Sequence, residues 1–113
     1  MFGFDESIEY KKSPQDEVKD ACQQLMDTIN GLRSYDAKSL QPVFELFDVV
    51  AMKANALAPT EQSKIGMYIS SIKTMKPTLM QLLPMGKVME GTIQMQLGNV
   101  SGTWCPNIIA ALN

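Results

Sequence analysis

The chain has 113 residues, 45% of them hydrophobic, with twelve acids against ten bases, a net charge of −2 and a pI near 5.0. That length fits one domain, and the apolar content is enough for a core that needs no metal or disulfide. The thinly spread bases argue against a nucleic-acid partner, because binding to a phosphate backbone draws on clustered Lys and Arg.

The charge is uneven along the chain. Residues 1–58 hold ten acids and six bases, residues 59–113 hold two acids and four bases, and the 23 residues after Glu90 hold none. By count alone that last run is long enough to cross a bilayer. Gln94, Gln96, Asn99, Ser101, Gly102, Thr103, Pro106 and Asn107 interrupt it, so no membrane span is expected. Such a tail either packs on the core or meets a partner or a second copy. The first ten residues, MFGFDESIEY, have no basic start and no apolar core of signal length, and a cytoplasmic location is the expectation. Cys22 and Cys105 are then expected as thiols, although one bridge between them is arithmetically possible.

Residues 1–12 read as an N-terminal arm ahead of a single helical domain over 13–113. Phe2, Phe4, Ile8 and Tyr10 give the arm a weak alternation without an obvious partner strand. The first clear helix signal is Ser13-Pro14-Gln15-Asp16: a capping hydroxyl, a proline with no amide to waste, and acids (Asp16, Glu17) at the positive helix end. Val18, Cys22, Leu25, Ile29 and Leu32 then form a seam, flanked by Ala21 and Met26. Asn30-Gly31 offers a left-handed exit.

After a connection over residues 33–39, with Asp36 or Ser39 as cap, Leu40 to Ala58 presents the widest apolar arc in the chain. Leu40, Val43, Phe44, Leu46, Phe47, Val50, Ala51, Ala54, Leu57 and Ala58 share it, opposite Gln41, Glu45, Asp48, Met52 and Asn55. This segment is expected to be the central helix, with Pro42 in its first turn and Ala58-Pro59 as its stop. Thr60 is the expected cap of a third helix. Its apolar face is Ile65, Tyr68, Ile69, Ile72 and Met75, and Lys76-Pro77 is the expected end.

Residues 84–100 fit two templates. As a helix from Pro84, they align Met85, Met89, Ile93, Leu97 and Val100 with Leu82. As a strand, Ile93, Met95 and Leu97 alternate with Gln94 and Gln96. The helical match covers more residues, despite about 1 kcal/mol for each of Gly86 and Gly91 relative to alanine. Gly98 to Gly102 reads as a turn, and Pro106 to Leu112 as a short last helix. The expected fold is therefore all-α: a small bundle of four main helices plus a short C-terminal helix. The alternative is α+β, with a small hairpin near residues 87–104.

Absences constrain the chemistry. The chain has no histidine, which removes Ser-His-Asp and Cys-His catalysis and the commonest zinc ligand. Two cysteines remote in sequence make no structural zinc site without carboxylates, and no glycine-rich phosphate loop occurs. No cofactor and no metal are expected. Trp104-Cys105-Pro106 resembles a thioredoxin-like active-site turn only superficially, since the second cysteine is missing. At the start of a helix from Pro106 a Cys105 thiolate would be favoured, but a small apolar residue beside a packed tryptophan is the plainer reading. Asp16, Asp20 and Asp27, near Glu17 and Gln24, read as a solvated helix face rather than a mimic of nucleic-acid charge.

Methionine is the most unusual feature: nine residues, seven of them from Met52 to Met95. Met75, Met85 and Met89 fall on expected core stripes. Met52, Met67 and Met95 fall off them. Exposed methionine suits surfaces that adapt to a partner, although the arm or the tail would serve equally to bury these three. The functional expectation is a non-enzymatic, small cytoplasmic protein-interaction protein of adaptor, inhibitor or chaperone type, of phage or mobile-element character. Its expected partner-binding residues are Met52, Met67, Met95 and Trp104, engaging a protein partner or forming a homo-oligomer. The alternative is a helical module that binds an apolar small molecule in its interior.

Overall fold

The computed structural model describes residues 13–113. The expected N-terminal arm, with Phe2 and Phe4, lies outside them. Every element among the described residues is helical, and no strand occurs. The hairpin proposed near residues 87–104 is not formed.

α1 runs Pro14–Asn30. It begins as its sequence implies, with Ser13 Oγ accepting from the Asp16 amide at 3.2 Å and Pro14 in the first turn. Its exit differs. Gly31 has φ −90°, an ordinary right-handed value, and its amide bonds Asp27 O. A Cβ there would stand 3.3 Å from the Asp27 carbonyl, so close approach rather than a left-handed turn is what glycine serves.

α2 runs Ala37–Ala54, capped by Asp36, so it begins three residues earlier than the apolar arc implies and places Pro42 in the second turn. It ends before Ala58 because that residue precedes proline and sits at ψ 152°. Leu57 is buried even so, carried in a tight turn in which the amides of residues 55–57 bond three residues back.

α3 runs Pro59–Leu82. Its first helical residue is Pro59 and its cap is Ala58, which offers no side-chain bond, so Thr60 is not the cap. Gln62 Nε2 instead donates to the Leu57 and Asn55 carbonyls at 2.7 and 3.2 Å. Nor does α3 stop at Lys76-Pro77. Leu79 is fully buried beyond the proline and Leu82 is half-buried. Burying leucine is worth about 1.5–3 kcal/mol, which offsets most of the ~3 kcal/mol proline cost. Pro77 and Lys73, the residue four back, are both exposed, so the carbonyl that loses its partner lies on the wet side.

Residues Leu83–Met89 form 3-10 turns broken at Gly86, which has φ 72° and ψ −152°. α4 (Glu90–Asn99) follows, then a π turn at Val100–Trp104, then α5 (Cys105–Leu112). Gly98 to Gly102 is therefore not a turn, and the fourth helix starts at Glu90 rather than Pro84. Three longer helices of 17, 18 and 24 residues are followed by one interrupted helical stretch, which is not quite the expected four plus one. Ile93, Leu97 and Val100 supply its buried side up to the π turn, and Cys105 and Ile108 supply it afterwards. The extra residue of a π turn is what keeps both groups facing inward.

The buried side chains among the described residues form one cluster drawn from all five of their α-helices. α1 packs on α2 and α5, and α3 packs on α2 and α5. The Leu40–Ala58 segment is thus one wall of a ring of four, not a hub, and its wide apolar arc serves two neighbours, α1 and α3. Polar ties cross the same seams. Lys53 Nζ meets Glu17 Oε1 at 2.7 Å, Lys76 Nζ meets Asp48 Oδ2 at 2.8 Å, and Lys19 Nζ donates to Asn113 Oδ1 at 2.9 Å. Gln15 Nε2 donates to Glu61 across α1 and α3. No helix among the described residues is long and apolar enough to cross a membrane.

Candidate functional site

Met52, Met67 and Met95 stand on the outer faces of α2, α3 and α4, with 61%, 71% and 65% of their surface exposed. Each lies opposite the buried stripe of its own helix. No neighbouring element of the described chain folds over them. Trp104, at the end of the π turn, is half-buried against the core.

Trp104 forms one wall of an open groove of about 400 Å³ with Gln96; Ser70, Ser71, Thr74, Met75 and Thr78 of α3 form the other. Met67 belongs to this stripe by spacing, one turn before Ser71. The groove is uncharged. Ser71 Oγ donates to the Met67 carbonyl at 3.0 Å, Thr74 Oγ1 to Ser70 O at 2.9 Å and Thr78 Oγ1 to Thr74 O at 3.0 Å. With their hydrogens turned back into the helix, these hydroxyls present oxygen lone pairs outward. The groove therefore offers acceptors, an indole face and a side-chain amide. It contains no group for acid–base chemistry at neutral pH.

Of the four expected contact residues Trp104 alone lines the groove; Met67 lies on the same face of α3 but outside the lining. Met52 stands apart, on the helix at the other flank of α3, and Met95 stands on the outer side of α4. Among the described residues the structure adds three exposed apolar side chains that sequence patterning missed: Met80 at 52%, Met85 at 56% and Val88 at 83%. Met85 does not join the core stripe that a helical period implies: it sits in 3-10 turns, where a 3.6-residue period does not apply. Met80 lines a second groove of about 350 Å³ with Phe44, Leu83 and the Lys76–Asp48 pair.

The thiol reading changes most. Cys105 is fully buried, with the Cys22 thiol as its neighbour. The Cys22 side chain, together with burial and the charge a Cys22 thiolate would carry, pushes the Cys105 thiol far above the ordinary range. The expected helix-start effect is lost because the π turn joins α5 to α4, and the Cys105 amide already bonds Val100 O. The carboxylates of α1 are engaged by neighbours: Asp16 with Lys19, Glu17 with Lys53, and Asp27 as acceptor from Gln23. Among the described residues no group of three or more Cys, Asp or Glu side chains is placed to hold a metal ion. Comparison with protein-family models, with curated proteins and with solved structures finds no match.

Proposed function

We propose that this is a non-enzymatic protein-interaction protein of adaptor, inhibitor or chaperone type, acting in the cytoplasm. Its contact surface is built on α3 and the C-terminal helical stretch: Met67 and the Trp104 groove form its centre, Met95 its outer edge, and Met52 a separate contact on α2. The observation that carries this reading is the exposure of Met52, Met67 and Met95 by 61%, 71% and 65% on helices whose opposite faces are fully packed. Unbranched, polarisable side chains adapt to a partner's shape, and an uncharged rim imposes little desolvation cost on apolar contact.

The test uses affinity capture from the source cells with the wild-type chain and a Met67→Gln/Met95→Gln variant as baits, alongside light scattering at several concentrations. Reproducible capture, or concentration-dependent dimerisation, that the double variant loses while keeping its helical circular dichroism supports the reading. A monomer at every concentration that captures nothing ends it. Native mass spectrometry of the purified protein separates this from the small-molecule alternative, for which a co-purifying ligand mass is the signature.

A further inference from the structure

The chain contains only two cysteines, and they are far apart in sequence. Folding brings them together. Cys22 sits midway along α1, Cys105 is the first residue of α5, both are 0% exposed in one core cluster, and the two side chains are neighbours there. The two helices that carry them pack directly on one another. We propose that Cys22 and Cys105 are a modification site: a reversible disulfide that fastens the first helix to the last. This does not rest on the partner-binding reading.

The oxidant is a small-molecule disulfide such as oxidised glutathione. Both thiols are enclosed, so reaction starts from a local opening of α5, a short helix of eight residues. The exposed Cys105 thiolate, its proton already lost to solvent, attacks one glutathione sulfur. The oxidant's S–S bond breaks, a mixed disulfide forms on Cys105, and one glutathione leaves as thiolate and is protonated. As α5 begins to close, Cys22 gives up its proton to solvent, its thiolate attacks the Cys105 sulfur, the mixed disulfide breaks, and the second glutathione leaves as thiolate and is protonated. The protein loses two hydrogens, and one glutathione disulfide becomes two thiols. The bridge closes a long loop, which restricts the unfolded chain and holds the π turn with Trp104 against α1. Because both thiols must first be uncovered, exchange is slow, so the pair responds to sustained oxidation.

The full chain, folded at about pH 8 where thiolates form, is incubated with oxidised glutathione, alkylated under denaturing conditions and weighed intact. The expected product is a monomer lacking two hydrogens that takes up no alkyl group. Dithiothreitol should restore both thiols, and Tm should rise by about 5 °C or more. The yield of intramolecular bridge relative to glutathione adduct should be about tenfold or more higher than in concentrated guanidinium, because folding raises the effective concentration. Cys22→Ala should stop at a single glutathione adduct. If that variant fails to fold, the wild-type comparison decides alone. Two thiols that remain alkylatable, two stable glutathione adducts, or equal bridging in the folded and denatured chains would overturn the proposal.

Discussion

Asp36 Oδ1 accepts the Ser39 amide at 2.7 Å, closing the first turn of α2 over a free helix end. This bond to the Ser39 backbone, with help from the Ser39 hydroxyl, lowers the Asp36 carboxyl below its ordinary value of 3.8. A pKa lower in the folded than in the unfolded state stabilises the fold above the unfolded value, and that contribution is lost as pH falls through the folded value. Asp36→Asn keeps an acceptor but does not titrate. Melting curves below about pH 4 should show the wild type losing its advantage over Asp36→Asn. Parallel curves throughout would refute the assignment.

Phe47 is 2% exposed and its ring centroid lies 6.2 Å from that of Phe44. Phe47→Ala should destabilise by about 3–5 kcal/mol, through lost burial and the cavity left behind. Met52→Ala, one turn and a residue further on the outer face, should stay within about 0.5 kcal/mol. Urea titrations of both variants check the contrast; similar midpoints would mean that Met52 is covered in solution.

Two glycines should respond in opposite directions to alanine. Gly98 lies within α4 with nothing within 4 Å of a built Cβ, so Gly98→Ala should stabilise by about 1 kcal/mol. Gly86, at φ 72° and ψ −152°, occupies a region that is essentially reserved for glycine. Gly86→Ala should destabilise by about 1–3 kcal/mol. Thermal melts read both signs, and a stabilising Gly86→Ala would show that the 3-10 break is not where the structure places it.

The Lys53–Glu17 pair, at 2.7 Å with side chains 37% and 39% exposed, bridges α2 and α1. A double-mutant cycle with Lys53→Met and Glu17→Gln should return a coupling below about 1 kcal/mol, shrinking further in molar salt as screening shortens. A salt-independent coupling of several times that size would place the pair in a drier setting than the structure does.

Much of the fold was legible because helical periodicity is a property of the chain itself. Val18, Cys22, Leu25 and Ile29 fall inside as their spacing implies, as do Ile65, Ile69, Ile72 and Met75. The Ser13-Pro14 start and Asp36 as one of two candidate caps were equally plain, since caps act within one turn. The exposure of Met52, Met67 and Met95 was readable for the same reason: each lies opposite its helix's buried stripe.

Local rules failed wherever a longer-range contact outweighed them. Proline before Thr78 marks a helix end by local sterics, yet burial of Leu79 on the other side carries α3 onward. Met85 fits a helical stripe on paper, but Gly86 breaks the backbone there and turns it outward. Gly98 to Gly102 reads as a turn from composition, but a π turn brings Ile93 and Ile108 to the same core.

By itself, then, the sequence determined the class of the fold, the inward face of each long helix and the absence of histidine chemistry. All three are local or compositional. Only the tertiary structure decided which walls meet, that Trp104 opens onto a row of α3 hydroxyls, and that Cys22 lies against Cys105. Those are pairings between distant segments, and a one-dimensional pattern records which way a residue faces but not which residue it faces.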